Sequence, residues 1–169
     1  MSVNGTSREP GSYGRMCDVS RFELGTDGPM VVLTGVDGSR TSLRAAAYAA
    51  GLARRQGSRL VVVYVAGAGA MGGLAGLAPG SAAAIAVSAR EYGEQLRQQA
   101  YESAKLMNMP PFEFLTAEGD PYNEITRIAK EVRADTVVIG ASESAGHRLV
   151  GSLAVRLVRA GLWPVTVVP

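Results

Sequence analysis

The residues whose types and spacing suit them to chemistry sit in two short segments. The first is Asp37-Gly38-Ser39, which ends the apolar run MVVLTGV; the second is GASESAGHRLVGS, residues 140–152, which leads out of the run ADTVVIG. The second segment closes on Gly151-Ser152, where a helical pattern begins. Backbone amides at such a helix start, together with the Ser152 hydroxyl, can hold phosphate oxygens. His147 and Arg148 in the same segment add hydrogen-bond donors and charge. A third stretch, AGAGAMGGLAGLAPGS, spells G-x-G-x-x-G with Gly67, Gly69 and Gly72 but does not have the setting that motif needs. A dinucleotide fingerprint requires a helix opening at its third glycine and an acid at the end of the next strand. Here Gly73, Gly76, Pro79 and Gly80 delay any helix, and the candidate acid, Glu91, falls within a helical pattern. The stretch reads as a flexible connection.

Several kinds of chemistry are excluded. With one cysteine, Cys17, and one histidine, His147, the chain has no internal disulfide and no zinc cluster of Cys and His. There is no G-x-S-x-G elbow to seat a catalytic triad and no G-x-x-x-x-G-K-[ST] phosphate loop, so the expectation is a binding protein, not an enzyme. The 17 Lys and Arg are scattered and the net charge is only +2, which gives no footprint for a nucleic-acid backbone. No apolar run approaches the roughly 20 residues needed to cross a bilayer. The N-terminus also lacks the apolar core of a secretory signal, so a cytoplasmic protein is expected.

The elements that must position these residues alternate regularly. At 169 residues the chain suits one core. Residues 1–28 carry no sustained period and are expected to be a flexible extension, leaving 29–169 as the domain. MVVLTGV and RLVVVYVA are apolar on both faces, as in strands covered by helices above and below. Ser39 is placed to cap a helix whose expected apolar face is Leu43, Ala46, Ala47 and Ala50, closed by Arg54, Arg55 and Gly57. A long helix follows the glycine-rich stretch, with Ile85, Ala89, Tyr92, Leu96, Ala100, Ser103 and Met107 on one side. FEFLTAEG alternates, as a less buried or edge strand does. Asp120-Pro121 starts a helix carrying Ile125, Ile128, Ala129 and Val132. ADTVVIG is a fourth strand, a short helix runs from Ser152 to about Gly161, and PVTVV, fenced by Pro164 and Pro169, is a fifth strand at an edge. Strand and helix in alternation predict an α/β fold, a mainly parallel sheet with helices on both faces. In such a sheet, ligands sit beyond the carboxyl ends of the strands where the winding reverses, and both chemical segments lie at such ends. Arg156 and Arg159 either rim a ligand or solvate the last helix, and Trp163 is either an interface anchor or a cap on the core.

Three segments, VVLTGVDGS, EGDPYNEI and ADTVVIGASESAGHRLVGSLAVRLVRAGLWPVTVVP, together resemble the universal stress protein family over residues 30–169. The resemblance implies an open five-stranded parallel sheet in the order 3-2-1-4-5, Rossmann-like, and a homodimer through the last strand. It also implies ATP or another adenine nucleotide held between the first and fourth strands. On that reading Asp37 meets the adenosine end, Val65 lies near the base, Gly140 and Gly146 shape the loop, and Gly151 with Ser152 receives the phosphates. The ATP-binding pattern of the family is G-x-x-G, nine residues, then Gly followed by Ser or Thr. This chain departs from it: Gly140 to Gly151 is two positions short, and the second glycine is replaced by Glu143. A carboxylate beside phosphates is electrostatically unfavourable. The alternative is a family member that has lost the nucleotide and acts through its dimer surface.

Overall fold

Four runs rich in β-branched residues and the alternating run FEFLTAE pair as one parallel sheet, and the segments between them coil back over its two faces. The computed structural model describes residues 28–67, 81–106, 109, 111–142 and 151–169. In chain order the elements are β1 (Val31–Val36), α1 (Arg40–Gln56), β2 (Arg59–Ala66), α2 (Ser81–Leu106), β3 (Phe112–Glu118), α3 (Pro121–Glu131), β4 (Thr136–Gly140), α4 (Ser152–Ala160) and β5 (Val165–Val168). The sheet order is β3-β2-β1-β4-β5, as the family resemblance implies, with β3 and β5 at the edges where the strand patterns put them. β1 lies in the middle, in parallel register with β2 (Val32 opposite Leu60) and with β4 (Val32 opposite Thr136). The winding therefore reverses between β1 and β4, and their carboxyl ends lie side by side.

Side chains of successive strand residues go to opposite faces. Leu33, Val61, Val63, Val65, Val137 and Ile139 pack against Ile125, Ile128 and Ala129 of α3 and Ala154 and Leu157 of α4. Val32, Val36, Val62, Tyr64 and Val138 pack on the other face against Ala45, Ala49, Ala50 and Ala53 of α1 and Leu96 of α2. The chain thus has two apolar layers sharing one sheet, which is why β1 and β2 read as continuous apolar runs.

The caps form where the sequence places them. Ser39 accepts the Ser42 amide at the start of α1, and Gly57 ends that helix at φ 68°. Asp120 accepts the Asn123 amide at the start of α3. Gly161 ends α4 at φ 61°. The face of α1 needs correction. Leu43 is 52% exposed and Ala47 is exposed, while Thr41, Ser42, Ala45, Ala49, Ala50 and Ala53 are buried. The helix packs tightly on the sheet with alanines, so Leu43 is turned outward while Leu52 packs partly against the core. In α2, Ala89 and Leu96 face the core as expected, but Ser103 is exposed and Gly93 takes a buried place. Ile85, Met107, residues 1–27 with Cys17, and the glycine-rich residues 68–80 lie outside the described residues or side chains.

Candidate functional site

The tip of β1 turns directly into α1 through Asp37-Gly38-Ser39, and short polar side chains hold that turn. The Ser39 amide donates to Asp37 Oδ1 at 2.9 Å. The Asp37 amide donates to Ser42 Oγ at 3.2 Å, and the Ser42 hydroxyl donates to the Ser39 carbonyl at 2.9 Å. Partial burial pushes the Asp37 carboxyl upward, but hydrogen bonds from Ser39, Ser42 and its own amide outweigh it and hold the pKa below the ordinary carboxylate value. The result is a carboxylate that is ionised, fixed in direction, and still reachable from solvent. Gly38 takes φ +82°, which a glycine adopts without strain.

The tip of β4 is tied to this turn. Thr41 Oγ1 donates to the Ala141 carbonyl at 2.6 Å. A Cβ on Gly140 would stand 2.5 Å from the backbone of both Thr41 and Ser42, so the strand end and the first turn of α1 also meet main chain to main chain. Two of the expected residues, Asp37 and Gly140, are therefore brought to one edge. Gly151 caps α4 with φ −57° and ψ 159° and supplies no side-chain hydrogen bond, and Ser152 is the first helical residue. A Cβ on Gly151 would meet Ser142 Cβ at 2.8 Å, so the two stems of the segment between β4 and α4 lie against each other. That puts Gly151 and Ser152 at the same edge as Gly140. Gly146, His147, Arg148 and Glu143 lie outside the described residues.

Val65 is at the end of β2, but its side chain is only 7% exposed and belongs to the layer under α3. At the surface only its main chain is on offer. Arg156 does not face a ligand either. Its guanidinium pairs with Asp120 at 3.1 Å and lies 4.2 Å from the centre of the Tyr122 ring, fastening α4 to the start of α3. The hydrogen bond from Arg156 and that from the Asn123 amide hold the Asp120 carboxyl below its ordinary value. Trp163 is partly buried against the α3–α4 layer, which fits the core-cap reading.

Three residues at this edge were not foreseen. Thr41 and Ser42 are two small polar residues directly after the cap, on the face of α1 that is buried, and that placement was the available signal. Tyr92 belongs to α2, yet a Cβ on Gly38 would overlap its hydroxyl and stand 2.9 Å from its Cζ. No local pattern connects residues so far apart in sequence. Among the described residues no group of His, Cys, Asp and Glu is arranged to hold a metal ion.

Known proteins share this fold. The family model of the universal stress proteins matches residues 30–169. A universal stress protein of Methanocaldococcus jannaschii is 30% identical over 139 residues, spanning 81% of this chain and 80% of its own. Among solved structures, a universal stress protein from Lactobacillus plantarum superposes with a TM-score of 0.69 at 21% identity, covering 83% of this chain and 97% of its own. A family protein from Burkholderia pseudomallei gives 0.64 at 27% identity, covering 83% and 96%. A universal stress protein solved in complex with cAMP gives 0.63 at 24% identity, covering 84% and 98%. With the sheet order, the Asp-Gly-Ser turn and the Gly-Ser helix start all in place, the chain belongs to the universal stress protein family.

Proposed function

We propose that this chain is a cytoplasmic, non-enzymatic stress-response module that holds an adenine nucleotide at the tips of β1 and β4 and pairs with a second copy through β5. The observation that carries the nucleotide reading is the juxtaposition of an ionised, oriented carboxylate at Asp37 with a helix start at Gly151-Ser152 that its own cap side chain does not satisfy. Asp37 suits the hydroxyls or amine of a nucleoside, and the α4 amides with Ser152 suit phosphate oxygens. Gly146, His147 and Arg148 belong to the segment joining the two ends and complete the phosphate side in this reading. The relative solved with cAMP supports the adenine class. β5 supports pairing: all four of its residues are half-buried, and among the described residues no strand lies along its outer edge.

A second reading, a family member that works only through its dimer surface, is favoured by Glu143 and by the shortened segment between Gly140 and Gly151. Calorimetry with ATP, ADP, AMP and cAMP separates the two. Saturable binding that weakens in Asp37→Ala and Ser152→Ala supports the first reading. No heat at millimolar ligand, with a dimer by light scattering, leaves the second.

A further inference from the structure

Helical spacing puts Tyr92 on the apolar side of α2, but the residue is half-exposed and reaches this edge, a place the family glycine motif does not account for. Helix α2 can bring it there because Gly93 lets the helix settle onto β2: a Cβ on Gly93 would stand 2.6 Å from the Tyr64 ring. Tyr64 is itself immobile, 2% exposed, with its hydroxyl donating to the Ala89 carbonyl at 3.1 Å. The Tyr92 and Tyr64 rings pack edge to face, with centroids 6.0 Å apart and planes at 67°. At its far end the Tyr92 hydroxyl rests over Gly38, in space that any side chain there would fill. Edge and tip are thus fixed by neighbours, yet the residue stays 41% exposed. Asp37 belongs to the same corner, since it directly precedes Gly38, over which the Tyr92 hydroxyl lies. A neighbouring cavity, lined by Tyr64, Ala66, Thr116 and the Arg90–Glu118 pair, holds only about 100 Å³. It has room for a few waters but not for a purine.

We propose that Tyr92 forms the α2 wall of the β1-tip site and that the base of the bound nucleotide packs on its ring while Asp37 holds the nucleoside. This rests on the nucleotide reading above and adds to it a binding residue outside the glycine segment. An aromatic ring already fixed at edge and tip loses little further freedom when a base stacks on it, and such a stack is sequence-tolerant and strong.

The test is calorimetry with ATP and AMP on the full chain and on Tyr92→Leu, Tyr92→Phe and Asp37→Ala, with a thermal melt of each. Leucine keeps the bulk against Tyr64 but removes the π face. It is expected to weaken binding about tenfold, the size of one lost base–aromatic stack, with a melting temperature near that of the parent. Phenylalanine keeps the ring and is expected to bind within about threefold of the parent. If Tyr92→Leu binds as tightly as the parent, or Tyr92→Phe loses as much as Tyr92→Leu, the stacking role is overturned while the nucleotide reading stands. If the unaltered chain binds neither ligand at millimolar concentration, both are overturned together.

Discussion

Replacing Gly140 by alanine asks whether the first glycine of the family motif is there for a ligand or for the fold. The added Cβ would stand 2.5 Å from Ser42 N and Thr41 C and 2.8 Å from Thr41 O, all of them backbone atoms. Carbon contacts settle at about 3.5–4.0 Å, so the first turn of α1 has to retreat by roughly 1 Å. Overpacking of this kind costs about 1–3 kcal/mol. The retreat also lengthens the 2.6 Å bond from Thr41 to Ala141, whose loss is worth about 1 kcal/mol. Against this, alanine narrows the unfolded ensemble and returns about 0.4–1 kcal/mol. The net expectation is about 1–3.5 kcal/mol, or a fall in melting temperature of roughly 3–14 °C for a domain of this size. Urea titration by circular dichroism, without ligand, reads it directly. Thr41→Val removes the hydroxyl without adding bulk and should cost about 1 kcal/mol. The double variant should fall short of the sum, because both changes act on one contact. A Gly140→Ala chain within about 0.5 kcal/mol of the parent would refute the close approach and return the glycine to the ligand.

Three further outcomes follow from the same structure. Asp37 has a lowered folded pKa, so its charge stabilises the fold above the unfolded value of about 3.8, and that contribution is lost as pH falls through the lower folded value. The gap in melting temperature between the parent and Asp37→Asn should therefore be widest near neutrality and close below about pH 3; a gap independent of pH argues that the charge plays no part. In α1, Leu43→Ser should change stability by less than about 0.5 kcal/mol, whereas Ala49→Leu, at a site with no exposure, should cost about 1–3 kcal/mol by urea titration. The reverse order would mean the helix is turned as its hydrophobicity alone implies. For Asp120, which both caps α3 and pairs with Arg156, asparagine should melt higher than alanine, since it keeps the cap and drops only the ion pair; equal melting of the two would assign the whole effect to Arg156.

Local pattern carried most of the scaffold. Runs of β-branched residues, the proline fences of β5 and the caps at Ser39, Gly57, Asp120 and Gly161 are short-range signals, and each gave its element with nearly the right ends. What failed was rotation and reach. The turn of α1 about its axis is set by how close the sheet lies, not by which residue is most apolar, so Leu43 misled where four alanines were correct. At the site, Asp37 and Gly140 could be brought to one edge from topology alone. The Thr41–Ala141 bond joins residues 100 apart, and Tyr92 rests over a glycine far behind it in sequence; such contacts leave no periodic trace.

The glycines that resemble a ligand motif do not by themselves argue for a ligand. Gly38 is needed for its positive φ and for the Tyr92 hydroxyl, and Gly140 for the first turn of α1, so both are explained by this chain's own atoms. The helix starts discriminate better. α1 and α3 each open with a side chain that takes a first-turn amide, Ser39 and Asp120. α4 opens with Gly151, which takes none. A helix has four amides at its start that need acceptors, and a glycine cap leaves all of them to something other than its own side chain. At that same edge stands Asp37, whose charge repels an anion placed too near it and attracts hydrogen-bond donors. A ligand anionic at one end and rich in hydroxyl or amine donors at the other satisfies both ends of the edge at once. A simple anion satisfies only α4.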